Sequence, residues 1–475
     1  MASNKMDKIT SRDVDFSQWY TDVIKNSNLI DYGPVKGTTI YKPYGFAVWE
    51  NIKGLFDLEF KKLGVDNVYF PLLIPESLMI KEKKHVEGFA PELWTVTQTG
   101  NTQLAEKLFI RPTSEVMIAD HWAKEIRSHR DLPLKYNQWV NVMRAEKTTR
   151  PFLRGSEFLW QEGHTVHAYE AEAKKMTKDI LDVYSKISRE KLMIPVITGE
   201  KTENERFAGA EATYTIEAMM YDGQALQSGT SHYLGQNFTK GFDIKFQNKS
   251  QKEEHAYSTS WGVSTRIIGA IIMSHSDDFG LVLPSAIAPI QVGIIKIKDT
   301  DEVLKATSDI VSKLSKTLRV NIDESDKSFG FKISEAEIKG IPIRIEVGPR
   351  DLENGSVTIS RRDIRNKVSV KLADVEKYVT EQINEYDKNI FNVAKEHLEK
   401  RIYTADTFDE YQNIINTKSG FVLVPFCGEV SCEEDIKKKS STNSRCIPDD
   451  VEQVESKCFN CGKSSKNKVY FARAY

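Results

Sequence analysis

The stretch from Arg144 to Thr165, RAEKTTRPFLRGSEFLWQEGHT, combines charged and aromatic side chains at a density that neither a core nor an exposed loop requires. It contains three arginines and three glutamates, and Phe158 and Trp160 lie among them. Guanidinium groups match phosphate oxygens in a bidentate geometry, and a carboxylate accepts hydrogen bonds from an amine. These residue types therefore predict a binding surface for a ligand that carries phosphate, a flat base and a small zwitterion.

Two paired strands are predicted to position these side chains, one over residues 137–146 and one over residues 158–169. Side chains alternate between the two faces of a strand, so every second residue should point to the same side. The residues on that side are Val142, Arg144 and Glu146 in the first strand and Phe158, Trp160, Glu162 and His164 in the second. The connecting loop adds Arg150 and Arg154. The alternative is a solvated hairpin whose charges pair with one another.

Cysteines form a second candidate site, because all five lie between Cys427 and Cys461. Cys427 and Cys432 form a C-x4-C pair, and Cys458 and Cys461 form a C-x2-C pair. Two such pairs in a reducing compartment are typical of a structural, tetrahedral Zn²⁺ site, whereas disulfides are not expected in the cytosol. Cys446 is left over and is predicted to be a free thiol, although it can compete as a ligand.

Length and charge limit the possible function classes. With 475 residues, the chain is expected to form two to four domains. The net charge is −2, so any contact with nucleic acid must come from local basic patches. The amino-terminal residues have no apolar run of a signal peptide, and no segment approaches the length of a membrane-spanning helix. We therefore expect a cytoplasmic protein without a membrane anchor.

Three blocks of pattern divide the chain. Residues 1–285 show runs of strands joined by hairpins with helices set apart, which predicts an antiparallel α+β domain. Its other predicted elements are a helix over about 44–64, strands over 66–75 and 107–112, a helix from Thr113 to about Ser128, a helix over 170–192 and a hairpin over 212–235 that turns at Asp222-Gly223. Residues 286–400 alternate strands with helices and predict a mostly parallel α/β unit. Residues 401–475 are predicted to form a small zinc-binding α/β domain, with a loop at 437–444.

Three longer motifs, taken in order, closely resemble the prolyl-tRNA synthetases, specifically the archaeal/eukaryotic-type form. The motifs are RPTSE (111–115), FLWQEGH (158–164) and SGTSH (228–232). The resemblance covers about residues 15–475. It implies a class II synthetase antiparallel sheet flanked by helices, then an α/β anticodon-binding domain, then the zinc-binding domain.

Three shorter motifs are similar to those shared by all class II aminoacyl-tRNA synthetases. GVDNVYFP (64–71) resembles motif 1, with Pro71 as its proline. Arg144-Ala145-Glu146 resembles the core of motif 2, and GVSTRIIGAII (262–272) resembles motif 3 with Arg266 as its arginine. These motifs are degenerate when taken alone, so they support the longer ones.

The resemblance implies a proline–tRNA ligase, which activates L-proline with ATP and transfers it to the 3′ end of tRNA(Pro). Activation joins two anions, a carboxylate and the α-phosphate, and positioned cations lower that barrier. Arg144 and Arg266 are the implied catalytic residues, at the α-phosphate and at the far end of the triphosphate. The implied ATP site consists of Arg144, Glu146, Arg154, Gln227, Thr230 and Arg266, with Mg²⁺ bridging the phosphates.

The implied proline pocket must offer acceptors for two N–H groups and flat apolar walls. Its residues are Thr113, Glu115, Arg144, Trp160, Glu162, His232 and Ser264. Several of them also have a purely structural interpretation. Thr113 can be a helix N-cap and Glu115 a first-turn carboxylate favoured by the helix dipole. Trp160 can belong to the core, His232 can be a satisfied structural histidine, and Arg266 can form a surface ion pair.

The second block resembles the anticodon-binding domain of the same family, most clearly at IPIRIEVGPRDLENGSVTISRRD (341–363). A glutamate there can accept two N–H groups of guanine, and arginines can hold phosphates or bases. The implied residues are Glu346, Arg344, Arg350, Arg361 and Arg362. The alternative is a solvated, charged edge.

The resemblance also implies a homodimer through motif 1 and a terminal Tyr475 that turns toward the active site. The span from Thr165 to Thr259 has no room for the large editing domain of bacterial-type enzymes, so no hydrolysis of alanyl-tRNA is expected from it.

A threonine, serine or other small-amino-acid ligase is one alternative, but a threonine enzyme needs a zinc-binding cysteine in the first block, which has none. A non-catalytic paralogue that binds tRNA or a partner is another, but it should have lost Arg144, Glu146 or Arg266.

Overall fold

The structure is a computed structural model that describes residues 9–81, 93–453 and 455–475. The first eight residues, in which the sequence predicts no secretion signal, lie outside the described residues. Among the helices of the described part, none combines the length and the apolar character that crossing a bilayer requires.

The first region contains the strands and helices that build the predicted α+β unit. Its strands are β1 (Ile30–Tyr32), β2 (Thr39–Tyr41), β3 (Asp66–Asn67), β4 (Leu73–Pro75), β5 (Trp94–Thr99), β6 (Thr102–Ile110), β7 (Leu134–Met143), β8 (Glu157–His167), β9 (Val196–Glu200), β10 (Ala212–Met219), β11 (Ala225–Gly235), β12 (Lys245–Gln247), β13 (Glu253–His255) and β14 (Tyr257–Ser264). Its helices are α1 (Phe16–Asn26), α2 (Pro43–Lys62), α3 (Glu76–Met79), α4 (Glu115–Glu125), α5 (Glu170–Glu190), α6 (Asn237–Gly241) and α7 (Arg266–His275).

The antiparallel strands β9, β10, β11, β14, β8 and β7 lie side by side in that order. Helix α5 covers one face of this sheet, because its buried residues recur every three or four positions, as at Ile180, Tyr184 and Ile187. Tyr184 donates to the Oε1 of Gln161 on β8 at 2.7 Å, and the ring of Phe60 on α2 lies 4.8 Å from that of Trp261. The odd-numbered residues of β8 therefore face the helices, which leaves the even-numbered ones on the opposite face.

Three boundaries predicted from the sequence are wrong. The strand over 66–75 is two short strands, β3 and β4, because Pro71 between them has no N–H to donate to a ladder. Strand β7 ends at Met143, before Arg144 and Glu146. Helix α4 begins at Glu115, with Ser114 and not Thr113 at the N-cap position, and it ends at Glu125.

His167, at the end of β8, makes folding sensitive to acid. It is 2% exposed, and burial, with a smaller effect from Lys135, lowers its pKa to about 4. Between that value and the unfolded pKa of about 6.5, the unfolded chain binds a proton that the folded chain does not, so stability is lost as the pH falls through this window. At pH 5 this amounts to about 2 kcal/mol.

We therefore expect His167→Gln to reduce the loss of thermal stability between pH 7 and pH 5. Glutamine keeps a polar group near the hydroxyl of Thr165, which lies 2.8 Å from the Nε2 of His167. Calorimetry of wild type and variant at the two pH values measures the effect. An equal fall in the unfolding midpoint of both proteins would show that His167 does not titrate in this way.

The second region forms a five-stranded sheet of its own, in the order β16-β15-β17-β18-β19. Its strands are β15 (Val292–Lys296), β16 (Val320–Ile322), β17 (Ile343–Val347), β18 (Ser356–Arg361) and β19 (Lys367–Lys371), and its helices are α8 (Asp301–Leu314), α9 (Phe329–Ile338), α10 (Pro349–Glu353) and α11 (Val375–Glu399). β15 pairs in parallel with β16 and β17, whereas β18 pairs antiparallel with β17 and β19, so half of the four pairings are antiparallel and the prediction of a mostly parallel unit is wrong. The connection from β17 to β18 is too short for a parallel crossover.

The third region does not stand apart from the first. Its strands are β20 (Ile402–Thr404), β21 (Phe421–Phe426), β22 (Asn443–Pro448), β23 (Ser456–Lys457), β24 (Ser464–Ser465) and β25 (Asn467–Ala472), and its helices are α12 (Phe408–Thr417) and α13 (Val430–Ser440). The predicted loop at 437–444 is wrong, since α13 and β22 occupy most of it.

Strand β22 pairs with β9, which joins the two regions in one eleven-stranded sheet, β20-β21-β25-β22-β9-β10-β11-β14-β8-β7-β3. Gly199 permits this contact, because a Cβ at that position would lie 2.3 Å from the carbonyl oxygen of Ile447. The sheet is therefore continuous across the predicted boundary at residue 401, and the boundaries at 285 and 401 stay predictions.

Candidate active site

A cavity of about 260 Å³ opens on the face of the sheet opposite α5. Most residues that the sequence predicts for the site line this cavity. They are Glu115, Arg144, Glu146, Arg154, Trp160, Glu162, Gln227, Thr230, His232, Ser264 and Arg266. Thr113 lies behind the wall, where its hydroxyl donates to Glu115. The fold thus brings together side chains from β8, β11, β14, the loop after β7 and the starts of α4 and α7.

One end of the cavity is acidic. Glu162 is 1% exposed and accepts from the backbone N–H and hydroxyl of Ser114 at 3.0 and 2.7 Å, from Gln138 at 2.6 Å and from His164 at 3.1 Å. Burial alone would raise the pKa of Glu162, but these hydrogen bonds, led by that from His164, lower it. Glu162 is therefore a carboxylate whose oxygens are already occupied, and it fixes the start of α4 against β8.

Glu115 and His164 complete this acidic end. Burial disfavours the charged form of His164 and alone would lower its pKa. Glu162 and Glu115 outweigh this effect, so the pKa of His164 is raised. Two carboxyl groups and one imidazole thus lie together in a wall that is at most 7% exposed. Such an end suits one organic cation. The group also has metal-ligand spacing, within 4.8 Å, but Glu162 has no free oxygen to offer a metal.

The opposite part of the cavity is cationic. Arg144 donates from Nε and Nη2 to the carbonyl of Pro112 at 3.2 and 3.1 Å, and its guanidinium lies 5.4 Å from the ring of Trp160. Arg266 donates to the carbonyl of Leu153 at 3.1 Å. Burial, together with Arg154 and Arg144, lowers the pKa of Arg266 to about 10, so it stays charged at neutral pH. Three guanidiniums next to one carboxylate, Glu146, attract a polyanion.

A third part of the cavity wall is neutral. His232 is 8% exposed, and burial, with His164 adding to the effect, lowers its pKa to about 3. Its ring nitrogens contact the hydroxyls of Thr213 at 3.0 Å and Thr230 at 3.1 Å, and the ring of Phe207 stacks on it at 4.5 Å. The uncharged histidine and the aromatic ring thus offer flat apolar surface to a small ligand.

Arg144 and Glu146 reach the cavity differently from the way the sequence predicts. They do not share one face of a strand, because β7 has ended and the N–H of Glu146 donates to the carbonyl of Arg144 at 2.8 Å. This turn places both side chains in the cavity wall. By contrast, Phe158, Trp160, Glu162 and His164 all line the cavity, so the alternation predicted for the second strand is confirmed.

Family profiles match the chain in three consecutive segments. The tRNA synthetase class II core domain (G, H, P, S and T) matches residues 95–275, the anticodon binding domain matches 291–382, and the C-terminal domain of prolyl-tRNA synthetase matches 408–475. A proline–tRNA ligase of Mesoplasma florum is 62% identical over 99% of this chain and 100% of its own length. The chain belongs to the prolyl-tRNA synthetases. The predicted fold class of class II core, anticodon-binding domain and C-terminal domain is thereby confirmed.

Other prolyl-tRNA synthetases show the same extent of similarity. A proline–tRNA ligase of Clostridium novyi is 51% identical over 99% of this chain and 98% of its own length. The crystal structure of prolyl-tRNA synthetase from Cryptosporidium parvum, complexed with halofuginone and AMPPNP, superposes with a TM-score of 0.95 at 41% identity, over 98% of this chain and 99% of that one. The similarity therefore extends through all three regions.

Sequence reasoning missed one wall of this prolyl-tRNA synthetase cavity. The segment before β10 contributes Glu205, Arg206 and Phe207, and β10 itself contributes Thr213. A possible signal was the single aromatic residue in ERFAGAE (205–211), flanked by charges and small residues outside any predicted element. An exposed loop has no structural use for that phenylalanine.

The predicted anticodon residues of this prolyl-tRNA synthetase do not form one open surface. Arg344 and Glu346 are 7% and 4% exposed and lie 3.2 Å apart, and Lys367 donates to Glu346 at 2.7 Å. Arg361 pairs with Asp363 at 2.6 Å. Arg350, on α10, is exposed.

Arg362 faces the first region of the protein. It is 3% exposed, and both of its terminal nitrogens donate to Asp277, at 2.9 and 2.6 Å. Because Arg362 is buried and paired with Asp277, its side chain is not accessible to RNA, contrary to the prediction. It instead links the second region to the first.

The four cysteines predicted to bind zinc come together. Their sulfur atoms all lie within 4.8 Å of one another, with Cys432 and Cys458 at 3.9 Å and Cys427 and Cys461 at 3.7 Å. Cys446 is fully buried in a different cluster of side chains. The tetrad has the donor set of a structural zinc site, and Cys446 has no part in it.

Proposed function

We propose that this protein is a proline–tRNA ligase, which forms prolyl-adenylate from L-proline and ATP and transfers the prolyl group to the 3′ end of tRNA(Pro). The observation that carries the proposal is a cavity that combines an acidic end, a flat neutral wall and the guanidiniums of Arg144, Arg154 and Arg266. These parts match an imino acid ammonium, its ring and a triphosphate. The names of the relatives support the same activity.

The geometry supports a role for each side chain. Glu115, with Thr113 behind it, accepts from the secondary ammonium, while Trp160 and His232 flank the ring. Ser264 and Glu162 complete the walls of that pocket. Arg144 is the cationic residue that contacts the segment before Glu115, at the carbonyl of Pro112, and so can neutralise both the attacking carboxylate and the α-phosphate.

The nucleotide has its own set of contacts. Glu146 accepts from the adenine amine, Gln227 and Thr230 line the nucleotide side, and Arg154 and Arg266 hold the outer phosphates. A carboxylate oxygen of proline bonds to the α-phosphorus, and pyrophosphate leaves with the electron pair of the broken P–O bond. Mg²⁺, when bound, supplies positive charge between the phosphates.

Exchange of pyrophosphate into ATP, measured with each amino acid in turn, tests the proposal. Proline alone should support strong exchange. If threonine or serine supports it better, the protein is a sibling ligase. If no amino acid does while tRNA still binds, it is a non-catalytic paralogue.

The structure supports a resident Zn²⁺ held by Cys427, Cys432, Cys458 and Cys461, which would fasten α13 to the hairpin of β23 and β24. We predict that Cys458→Ser removes zinc from the purified protein and that residues 408–475 become sensitive to trypsin. Elemental analysis and limited proteolysis measure the two effects. Cys446→Ser is the matched control, and loss of zinc from that variant instead would contradict the assignment.

We also propose the archaeal/eukaryotic-type form without an editing domain. The fully described span from Thr165 to Thr259 is occupied by α5, α6 and strands β9–β13, which pack within the first region. The protein should therefore fail to deacylate alanyl-tRNA(Pro) by itself. Rapid release of alanine from that substrate would show an editing site that this span does not reveal.

Dimerisation through motif 1 is supported by exposed apolar side chains around it. Leu58, Tyr69 and Leu73 are 59%, 75% and 41% exposed, which is costly for a monomer. We propose a homodimer that covers them, and light scattering of the purified protein measures the mass. We further propose a cytoplasmic location, where its tRNA substrate is found, and recognition of the anticodon through the exposed Arg350.

A further inference from the structure

The loop between β7 and β8 carries Arg154 to the cavity on a narrow turn. Arg150 and Arg154 face each other across it, with backbone hydrogen bonds of 2.7 Å from Arg150 to Arg154 and 2.9 Å in return. Phe152, inside the turn, has a φ of 62°, a left-handed conformation that non-glycine residues rarely adopt. Such a turn persists only when its surroundings hold it.

The side chain of Arg150 does not line the cavity. Its guanidinium carbon lies 4.8 Å from the ring centre of Tyr20 and 5.3 Å from that of Tyr475. One terminal nitrogen, Nη2, is shielded from solvent and has no hydrogen-bond partner in the described part of the chain. The two aromatic rings, which we call the aromatic clamp, flank this cation and stabilise it.

Both rings are anchored outside the loop. Tyr20, on α1, is fully buried and donates to the carbonyl of Pro151 in the turn at 2.8 Å. Tyr475 donates to Asp222 at 2.5 Å, and its N–H donates to the carbonyl of Ala225 at 3.1 Å. The aromatic clamp thus ties the turn to α1 on one side and to the β10–β11 hairpin on the other.

We propose that Arg150 is a positioning residue for ATP: held in the aromatic clamp, it fixes the turn so that Arg154 projects into the nucleotide part of the cavity. The inference rests on the proposed function, because it assigns Arg154 to an ATP phosphate. Arg150 acts through the two backbone hydrogen bonds to Arg154. Its own contact with the nucleotide is not required.

Kinetics of proline-dependent ATP–pyrophosphate exchange with the full-length protein test this role. Arg150→Met should raise the KM for ATP about tenfold, which corresponds to about 1.4 kcal/mol, the scale of a partly desolvated cation–π contact. The KM for proline and the kcat at saturating ATP should change less than about twofold. Tyr475→Leu should give the same pattern, and Tyr475→Phe, which keeps the ring, should restore most of the ATP affinity.

Arg365→Met is the matched control, because Arg365 also lies over a ring, 3.3 Å from that of Phe279, but does not line the cavity. Its KM for ATP should equal that of wild type. Thermal midpoints within about 2 °C of wild type show that the compared variants are folded.

Three results would overturn the inference. If Arg150→Met has the wild-type KM for ATP, Arg150 does not position Arg154 for ATP binding. A fall in kcat at unchanged KM would place Arg150 in the chemical step. A defect in Arg150→Met with a normal Tyr475→Leu would mean that Arg150 contacts ATP directly. Wild-type protein that gives no exchange would overturn the proposed function as well, and this distinguishes the two failures.

Discussion

Replacing Arg144 with alanine should abolish proline-dependent pyrophosphate exchange, lowering kcat/KM by about 10³-fold or more, equivalent to about 4 kcal/mol of transition-state stabilisation. Arg144 belongs to the cationic part of the cavity but reaches toward the acidic part, because its guanidinium donates to the carbonyl of Pro112, three residues before Glu115. Alanine removes the charge at that point, and the remaining arginines cannot replace it from the outer phosphates.

Arg144→Lys is the informative comparison. Lysine keeps the charge but loses the planar fork, so its activity should fall between those of alanine and wild type. The fold should survive both changes, because Arg144 follows the end of β7 and lies in the cavity wall, outside the hydrophobic core. An Arg144→Ala enzyme that keeps more than about a tenth of wild-type kcat/KM would contradict the role assigned to this residue.

Glu217→Gln should destabilise the protein by about 3–5 kcal/mol. Glu217 is fully buried and accepts from Lys201 at 2.9 Å and from Arg445 at 2.9 and 2.7 Å. Burial alone would raise the pKa of Glu217, but Arg445 and Lys201 together lower it, so the group is a carboxylate. Glutamine would leave two buried cations without a counter-charge where β22 joins the sheet.

Calorimetry and hydrogen exchange measure this effect, and the amides of β22 should lose protection first. Glu170→Gln is the matched control, because Glu170 and Lys174 form an exposed pair, and its unfolding midpoint should not change. Replacing the whole cluster, as Lys201→Met, Glu217→Leu and Arg445→Met together, should recover most of the stability. A Glu217→Gln protein as stable as wild type would show that the cluster contributes nothing at the junction.

The parts of the site that follow from local periodicity could be predicted from sequence. The face of β8 that carries Trp160 and Glu162 followed from the alternation of a strand, and the cysteine tetrad followed from its spacing. Arg144 and Glu146 were placed in the correct cavity for an incorrect reason, since a turn and not a strand presents them.

Contacts between distant segments could not be predicted. Arg445 reaches Glu217 across 228 residues, and only the pairing of β22 with β9 brings them together. Arg362 was predicted to contact RNA because an arginine in a charged segment looks the same in sequence whether it faces a phosphate or an aspartate of another region. Its burial depends on how the second region packs on the first, which no local pattern encodes.

The shared sheet has a consequence for how the protein is made. A ribosome synthesises β9 long before β22, so the nascent chain must carry an unpaired strand edge while the whole anticodon-binding region is translated. An unpaired strand edge exposes backbone N–H and C=O groups with which another chain can pair. Chains truncated before Asn443 should therefore aggregate, even though they contain every residue that lines the cavity.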